Sequence, residues 1–210
     1  MSNGGLPKAE SIHQVAIFGS SHTEDNSLLY RQVYEVCKKL AEAGYVVANG
    51  GGPGVMKAAS LGAKAAGGKV IGVTFQGDER MHFEGRDPSN KIDVEIKTKN
   101  YVERTITLLK EGQIYVIFNG GTGTISEFGM AWGLAKLYFG HHKPLILYGK
   151  FWENIIQAFK DNMLMRPEEL EVYKIVDNET AVLQAILDFE HELQQGQHLH
   201  IKAITDDFSI

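Results

Sequence analysis

The chain of 210 residues is short of several features, and each shortage excludes a class of protein. A single cysteine, Cys37, excludes an intramolecular disulfide and a zinc site built from cysteines alone, and its helical context predicts a thiol in the core. No apolar run approaches the ~18 residues of a membrane span, and residues 1–8 lack the apolar segment of a signal peptide. The sequence therefore predicts no membrane association and a cytoplasmic location.

Positive charge is also scarce. The chain has 21 lysines and arginines against 26 aspartates and glutamates, a formal net charge of −5. Binding to long nucleic acids needs a broad basic surface, so that function is not expected. The histidine pairs 141–142 and 198–200 have no cysteine or acidic partner at ligand spacing, so no metal is expected either.

Short apolar runs alternate with longer segments of helical period. Strands are predicted at 14–18, 45–48, 70–75, 93–96, 114–118, 145–148 and 172–176. Helices are predicted at 25–43, 53–66, 100–110, 126–139, 151–163 and 179–193. This alternation predicts one α/β domain over 1–210, a doubly wound parallel sheet with helices on both faces. The polar stretch 76–92 is interpreted as a loop that covers an active site, and the tail from about 194 has no clear period.

Glycine is the residue type that clusters. Glycine-rich turns follow three predicted strands, at 19–21, 50–54 and 120–124. In a parallel sheet the carboxyl ends of the strands share one edge, where ligands bind, and backbone N–H groups near helix starts bind anions. Neither the dinucleotide fingerprint nor the P-loop signature is present. The turns therefore predict a site for a phosphorylated ligand. The candidate binding residues are Gly19, Ser20, Ser21, Gly51, Gly52, Gly54, Met56, Gly120, Gly121, Thr122, Gly123 and Thr124.

Glu127 is the candidate for chemistry, and two interpretations stay open. It follows Thr124 by three residues, the spacing of a capping box in which the glutamate closes back on the Thr124 N–H. Alternatively its carboxylate lies one helical turn from the phosphate and stabilises an oxocarbenium-like centre or activates water at a sugar carbon.

The glycine motifs resemble those of a known family. The segments 50–56 (Gly-Gly-Gly-Pro-Gly-Val-Met) and 120–127 (Gly-Gly-Thr-Gly-Thr-Ile-Ser-Glu) are similar to the two halves of the LONELY GUY (LOG) signature, whose second half reads P-G-G-x-G-T-x-x-E. The resemblance runs from about residue 15 to about residue 187. It implies a Rossmann-like fold, a homodimer, and hydrolysis of the N-glycosidic bond of a nucleoside 5′-monophosphate, AMP-like or a cytokinin nucleotide, to free base and ribose 5-phosphate.

The family also implies catalytic residues. In it an arginine–lysine pair on the preceding helix joins the glutamate of the motif, and Arg104 and Glu127 match the arginine and the glutamate. Arg104 would hold the 5′-phosphate or orient the leaving base. Thr105 stands where the family has lysine, against the ligand, and Asn119 stands where it has proline.

A binding function without turnover is the alternative. Carrier proteins for the molybdenum cofactor resemble this family too, and the missing lysine favours a nucleotide or phosphorylated-cofactor carrier slightly, whereas Arg104 and Glu127 favour the enzyme. No cofactor is expected for the enzyme, because no lysine stands in a setting suited to a pyridoxal phosphate Schiff base.

A homodimer has some support from the predicted helix 126–139. A helix on the outside of a sheet needs one apolar face, and this one is apolar almost all round, which suggests a partner. The apolar residues are Phe128, Met130, Ala131, Trp132, Leu134, Ala135, Leu137, Tyr138 and Phe139.

Overall fold

A computed structural model describes residues 11–75, 85–137 and 143–195. This part of the chain contains seven strands and six α-helices, which alternate except that β4 follows β3 without a described helix between them. The strands are β1 (Gln14–Phe18), β2 (Val46–Asn49), β3 (Val70–Phe75), β4 (Val94–Thr98), β5 (Ile114–Ile117), β6 (Leu145–Tyr148) and β7 (Tyr173–Val176). The helices are α1 (Leu28–Glu42), α2 (Val55–Ala65), α3 (Tyr101–Glu111), α4 (Thr122–Leu137), α5 (Phe151–Asn162) and α6 (Glu179–Gln194).

All seven strands are parallel and lie in the order β4-β3-β2-β1-β5-β6-β7. The predicted α/β fold with a Rossmann-like doubly wound parallel sheet is confirmed. The chain adds strands on one side of β1 as far as β4 and then crosses to its other side at β5. This reversal opens a crevice beyond the carboxyl ends of β1 and β5, the usual position of a ligand in such sheets.

The core has two layers because alternate side chains of each strand face opposite sides of the sheet. Val15 and Ile17 of β1 pack against the layer that holds α1, α2 and α6, together with the fully buried thiol of Cys37. Ala16 and Phe18 of the same strand face the layer formed by α3, α4 and α5. Helices therefore cover both faces of the sheet, and the central strands β1, β2 and β5 are buried apart from the first residues of β1 and β2.

Several element ends differ from the sequence prediction, for local reasons. Helix α1 begins at Leu28 rather than at 25, because the Ser27 hydroxyl accepts a hydrogen bond from the Tyr30 N–H at 3.1 Å and caps the helix there. Helix α2 begins at Val55, after Gly54, and not at 53. A 3₁₀ turn at Pro167–Leu170 was not predicted. In the described residues no helix is both long enough and apolar enough to cross a membrane.

Candidate functional site

A cavity of about 610 Å³ lies at the carboxyl edge of the sheet, where the strand order reverses. Most of the lining comes from the turn after β1 and from the start of α4, and Tyr101, Arg104 and Leu108 of α3 complete it. Ten of the fourteen predicted site residues line this cavity. They are Gly19, Ser20, Ser21, Met56, Arg104, Gly121, Thr122, Gly123, Thr124 and Glu127.

The amino end of α4 forms one wall of the cavity. The sequence predicted a loop over 120–124 and a helix from 126, but the helix begins at Thr122, and the Gly121 carbonyl accepts from the Ile125 N–H at 3.0 Å. The first N–H groups of a helix have no partner within it and carry partial positive charge, which suits an anion. A Cβ on Gly121 would meet nothing within 4 Å, so the approach to this helix end is open.

Glu127 lies just beyond this first turn and faces the same cavity. The capping-box interpretation does not fit, because the helix has already begun before Thr124 and Glu127 is too far along to close its first turn. The side chain is 7% exposed. Burial raises the pKa of the Glu127 carboxyl from 4.5 to about 7, and the positive charge of Arg104 opposes that rise. A carboxyl group with a pKa near neutrality exchanges protons readily at working pH.

Arg104 projects from α3 into the same region and is also buried. Its Nε donates to the Val73 carbonyl at 3.0 Å, and its Nη2 donates to the Gly50 carbonyl at 3.0 Å. The same Nη2 lies 3.2 Å from the sulfur of Met56. The guanidinium thus joins α3 to the ends of β2 and β3 and holds a positive charge beside Glu127. Two of its nitrogens donate to backbone oxygens, so only part of the donor capacity of the guanidinium is directed to the protein backbone by these bonds.

Gly51 and Gly52 do not line the cavity, although the sequence placed them in the site. The second part of the predicted loop 76–92 runs over them: the Asp87 N–H donates to the Gly51 carbonyl at 3.0 Å, and the Asn90 amide donates to the Gly52 carbonyl at 2.8 Å. Gly50, which was not singled out, lines the cavity in their place. The turn after β2 is therefore packed mainly against protein. The first part of the predicted covering loop, 76–84, lies outside the described residues.

Gly54 and Gly120 also stand outside the lining, because the backbone packs tightly there. Gly54 has φ +62°, and a Cβ on it would overlap the carbonyl oxygens of Ser20 and Ser21. A Cβ on Gly120 would overlap the Thr124 hydroxyl and come within 2.9 Å of the Ser20 nitrogen. These two glycines let the turn after β1 approach its neighbours, and so they shape the wall that Ser20 and Ser21 present.

Thr105 does not line the cavity, contrary to the expectation from its place in the motif. It is 2% exposed, and its hydroxyl finds no hydrogen-bond partner in the part of the chain that the structure describes. On α3 the residues that reach the cavity are Tyr101, Arg104 and Leu108, spaced three and four apart on one face. Thr105, one residue further round, is turned off that face.

Other lining residues were missed by the sequence reasoning. They are Ile17, Phe18, His22, Gly50, Tyr101, Leu108 and Ser126. The helical spacing from Arg104 is a signal that would have found Tyr101 and Leu108. Within the described ranges no group of three or more histidine, cysteine or acidic residues is arranged to hold a metal ion. The histidine pairs 141–142 and 198–200 lie outside those ranges.

Known proteins with a similar chain or fold support this description. An uncharacterized protein of Archaeoglobus fulgidus is 29% identical over 139 residues, which are 66% of this chain and 85% of the relative. The crystal structure of the protein TM1055 matches with a TM-score of 0.64 and 28% identity, covering 84% of this chain and 99% of that one. The molybdenum cofactor binding protein of the phototrophic bacterium Rippkaea orientalis matches with a TM-score of 0.65 and covers 86% of this chain and 99% of its own. At 20% identity, the last comparison supports the fold alone.

The family is identified by the match to a whole-family model. The model described as the SLOG cluster4 family matches residues 12–171, a span that contains β1, the three glycine-rich turns, Arg104 and Glu127. This match agrees with the resemblance to LOG-type proteins that the glycine motifs indicated. The chain belongs to the SLOG cluster4 family.

Proposed function

We propose that the protein hydrolyses the N-glycosidic bond of a nucleoside 5′-monophosphate and releases the free base and ribose 5-phosphate. One observation carries the proposal: the Glu127 carboxyl, with a pKa raised to about 7, faces a 610 Å³ cavity one turn from the open start of α4. A cavity of this volume suits a ligand of nucleotide size.

The phosphate would bind at the start of α4. Gly121, Thr122 and Gly123 carry backbone N–H groups at this helix start, and the hydroxyl-bearing residues Ser20, Ser21 and Thr122 line the same cavity. The first turn of α4 contains no acidic residue that would repel an anion. Hydrogen bonds to a charged oxygen are about twice as strong as neutral ones. This end of the cavity therefore favours the phosphorylated nucleotide over the free nucleoside.

Glu127 would act on the water that attacks C1′ of the ribose. Its carboxylate accepts a proton from the water, the water oxygen bonds to C1′, and the bond between C1′ and the base nitrogen breaks. The proton taken from water passes to the departing base nitrogen, so atoms and charges balance. In its ionised form the same carboxylate stabilises the positive charge that develops on the ribose in the transition state.

Arg104 would act as a positioning residue rather than as a phosphate ligand. Its hydrogen bonds to Val73 and Gly50 fix the guanidinium, and its charge keeps the pKa of Glu127 from rising further under the effect of burial. A larger rise in the pKa would leave less of the Glu127 carboxyl ionised at neutral pH. A general base acts only in its deprotonated form, so such a rise would reduce activity.

The second candidate is a nucleotide or phosphorylated-cofactor carrier that binds without turnover. Two observations favour it: the Arg104 donors are directed to backbone carbonyls, and structural neighbours are named as binding or carrier proteins for the molybdenum cofactor. A buried glutamate with a neutral-range pKa has no evident use in simple binding of an anion, and this difference favours the enzyme.

A homodimer is proposed on the exposed face of α4. Ile125 is 57% exposed and Met130 is 37% exposed, and Gly129 and Gly133 lie exposed between and beyond them. An apolar strip with small residues on one helix fits a second copy of the same helix. Light scattering at micromolar concentration tests this, and a particle of 23.3 kDa would contradict it.

The activity is tested by incubating the protein with a panel of nucleoside monophosphates and the matching nucleosides. Free base is followed by chromatography, with the Glu127→Gln protein prepared in parallel to expose contaminating hydrolases. We expect AMP or a related monophosphate to release base and the unphosphorylated nucleoside to be a poor substrate. Equal release from AMP and adenosine would contradict the phosphate site, and binding of AMP without release by either protein would favour the carrier.

A further inference from the structure

We propose that Tyr101 is the surface on which the aromatic base of the ligand stacks, and hence the residue that makes the site prefer a nucleotide to a sugar phosphate. The inference rests on the proposed function for the identity of the ligand. It assigns a specificity role to a residue outside the glycine motifs, at the first position of α3.

Tyr101 lines the cavity and is partly exposed. Apart from the imidazole of His22, the described lining contains one other aromatic ring. The other lining ring, Phe18, is 2% exposed and packs against Tyr115 with ring centroids 5.8 Å apart. Phe18 therefore has no face to offer a ligand.

The Tyr101 ring is held at both ends. The Phe75 ring meets it edge-on, with centroids 6.3 Å apart and planes at 75°. At the other end its hydroxyl lies 3.3 Å from the Ser126 hydroxyl, which donates to the Gly123 carbonyl at 2.7 Å. A ring fixed in this way loses little conformational freedom when a ligand packs on it, so more of the stacking free energy appears as affinity.

The position of the ring fits the proposed placement of the nucleotide. The Tyr101 hydroxyl is next to the first turn of α4, because a Cβ on Gly123 would lie 3.2 Å from it. The ring extends from there towards β3, away from the helix start that would hold the phosphate. The Arg104 guanidinium carbon lies over the ring, 6.0 Å from its centroid, and the charge of Arg104 acts on the Glu127 carboxyl, which lines the same cavity. Phosphate, ribose and base would then follow the sequence α4 start, Glu127 and Tyr101.

Stacking would distinguish ligands by the part that ribose 5-phosphate lacks. An aromatic side chain that stacks on a base typically accounts for about ten-fold or more in affinity by substitution, and the contact tolerates different bases because each has a π-face. The structure therefore assigns to Tyr101 a preference for planar, aromatic bases over the bare sugar phosphate, with little choice among the bases.

The test measures binding of AMP and of ribose 5-phosphate by calorimetry in the Glu127→Gln background, where turnover does not interfere. We expect Tyr101→Leu to weaken AMP binding at least about ten-fold. The same change should alter ribose 5-phosphate binding by less than about three-fold, and Tyr101→Phe should stay within about three-fold of the parent for AMP. Val102→Ala, an exposed neighbour on α3, is the matched control and should change neither affinity.

Three outcomes would overturn the inference. An equal loss of affinity for both ligands in Tyr101→Leu would mean that the residue only supports the fold of the site. The unfolding temperatures of all variants would show whether the fold is weakened. Unchanged AMP affinity in Tyr101→Leu would mean that the base lies elsewhere, and no binding of AMP to the parent would overturn both this inference and the phosphate site. Stacking behaviour as expected, combined with no release of base by the wild-type protein, would contradict the proposed function alone.

Discussion

The glycine-rich turns after β2 and after β5 look alike in the sequence but differ in what surrounds them. In the turn after β2, Gly51 and Gly52 are covered by residues 87–90, and Gly54 touches the backbone of the turn after β1. In the turn after β5, Gly121 has open space where a Cβ would be, and Gly123 meets only the Tyr101 hydroxyl. The first turn thus uses the missing side chains to pack the protein against itself, and the second uses them to leave a helix start open to a ligand.

The largest effect on stability is expected at Gly54. Its φ of +62° with ψ of −126° is a conformation that other residues avoid, and a Cβ would overlap the Ser20 and Ser21 carbonyls. Gly54→Ala should therefore lower the free energy of unfolding by about 3 kcal/mol or more. Gly121→Ala, the matched change in the other turn, should cost less than about 1 kcal/mol. Denaturant unfolding of both variants measures the difference, and similar losses would contradict the contrast between the turns.

Ionisation of the Glu127 carboxyl should change the stability of the protein with pH by nearly the same amount. Its folded-state pKa of about 7 lies above the ordinary 4.5, so the folded protein holds the proton more tightly than the unfolded chain does. The resulting stability is fully present below about pH 4.5 and is lost as the pH rises through about 7. Glu127→Gln has no such loss, so its stability relative to wild type should increase by up to about 3 kcal/mol between pH 4.5 and 8.

Thermal or denaturant unfolding of the two proteins across that pH range checks this prediction. A constant difference between them would mean that the Glu127 carboxyl is ionised in the folded protein throughout, as an exposed carboxyl would be. The role of general base near neutral pH would then lose its physical support.

A smaller effect, on affinity rather than stability, is expected at the open turn. A methyl group on Gly121 would occupy the space through which the anion approaches the start of α4. Gly121→Ala should weaken AMP binding roughly ten-fold, about the loss of one hydrogen bond to a charged group. Gly129→Ala adds a methyl group to the exposed face of the same helix and is the control. If both variants bind AMP like the parent, the phosphate lies elsewhere.

The smallest effect is expected at Thr105. Its buried hydroxyl has no partner in the described chain, so Thr105→Val should be neutral or stabilise the protein by up to about 1 kcal/mol, with turnover unchanged. Thr105→Lys, which restores the residue of the family motif, should destabilise the protein because it buries an ammonium group. Faster AMP turnover in Thr105→Lys would instead mean that a side chain at 105 reaches the ligand.

The sequence predicted the fold well, because strand and helix periods in an α/β protein are local signals. It predicted β1, β3 and β6 to the residue and brought Arg104, Glu127 and the turns after β1 and β5 to one cavity. It could not separate the two glycine turns, since residues 87–90 cover Gly51 and Gly52 through contacts across 36 and 38 positions of sequence.

The predicted start of α4 and the predicted position of the Thr105 side chain were wrong, both because the fold decides features that local sequence does not. A glycine-rich segment has low intrinsic helix propensity, which predicted a loop over 120–124, yet Thr122, Gly123 and Thr124 are helical in the folded chain. Adjacent residues on a helix point about 100° apart, so a motif that names 104 and 105 together does not place both side chains in one cavity. Tyr101 was missed although it lies one helical turn before Arg104, whereas its contacts with Phe75 and Ser126, which are distant in the sequence, are visible only in the folded chain.

The central claim is that Glu127 acts as a base in a nucleotide-binding cavity, and the pH dependence of kcat/KM for AMP hydrolysis tests it most directly. The account predicts that kcat/KM of the wild-type protein rises with pH and levels off above about 7, as the Glu127 carboxyl ionises. Glu127→Gln should still bind AMP but release adenine at least about 100-fold more slowly, without that rise. Release of adenine at the wild-type rate by Glu127→Gln, with the same pH profile, would contradict the account.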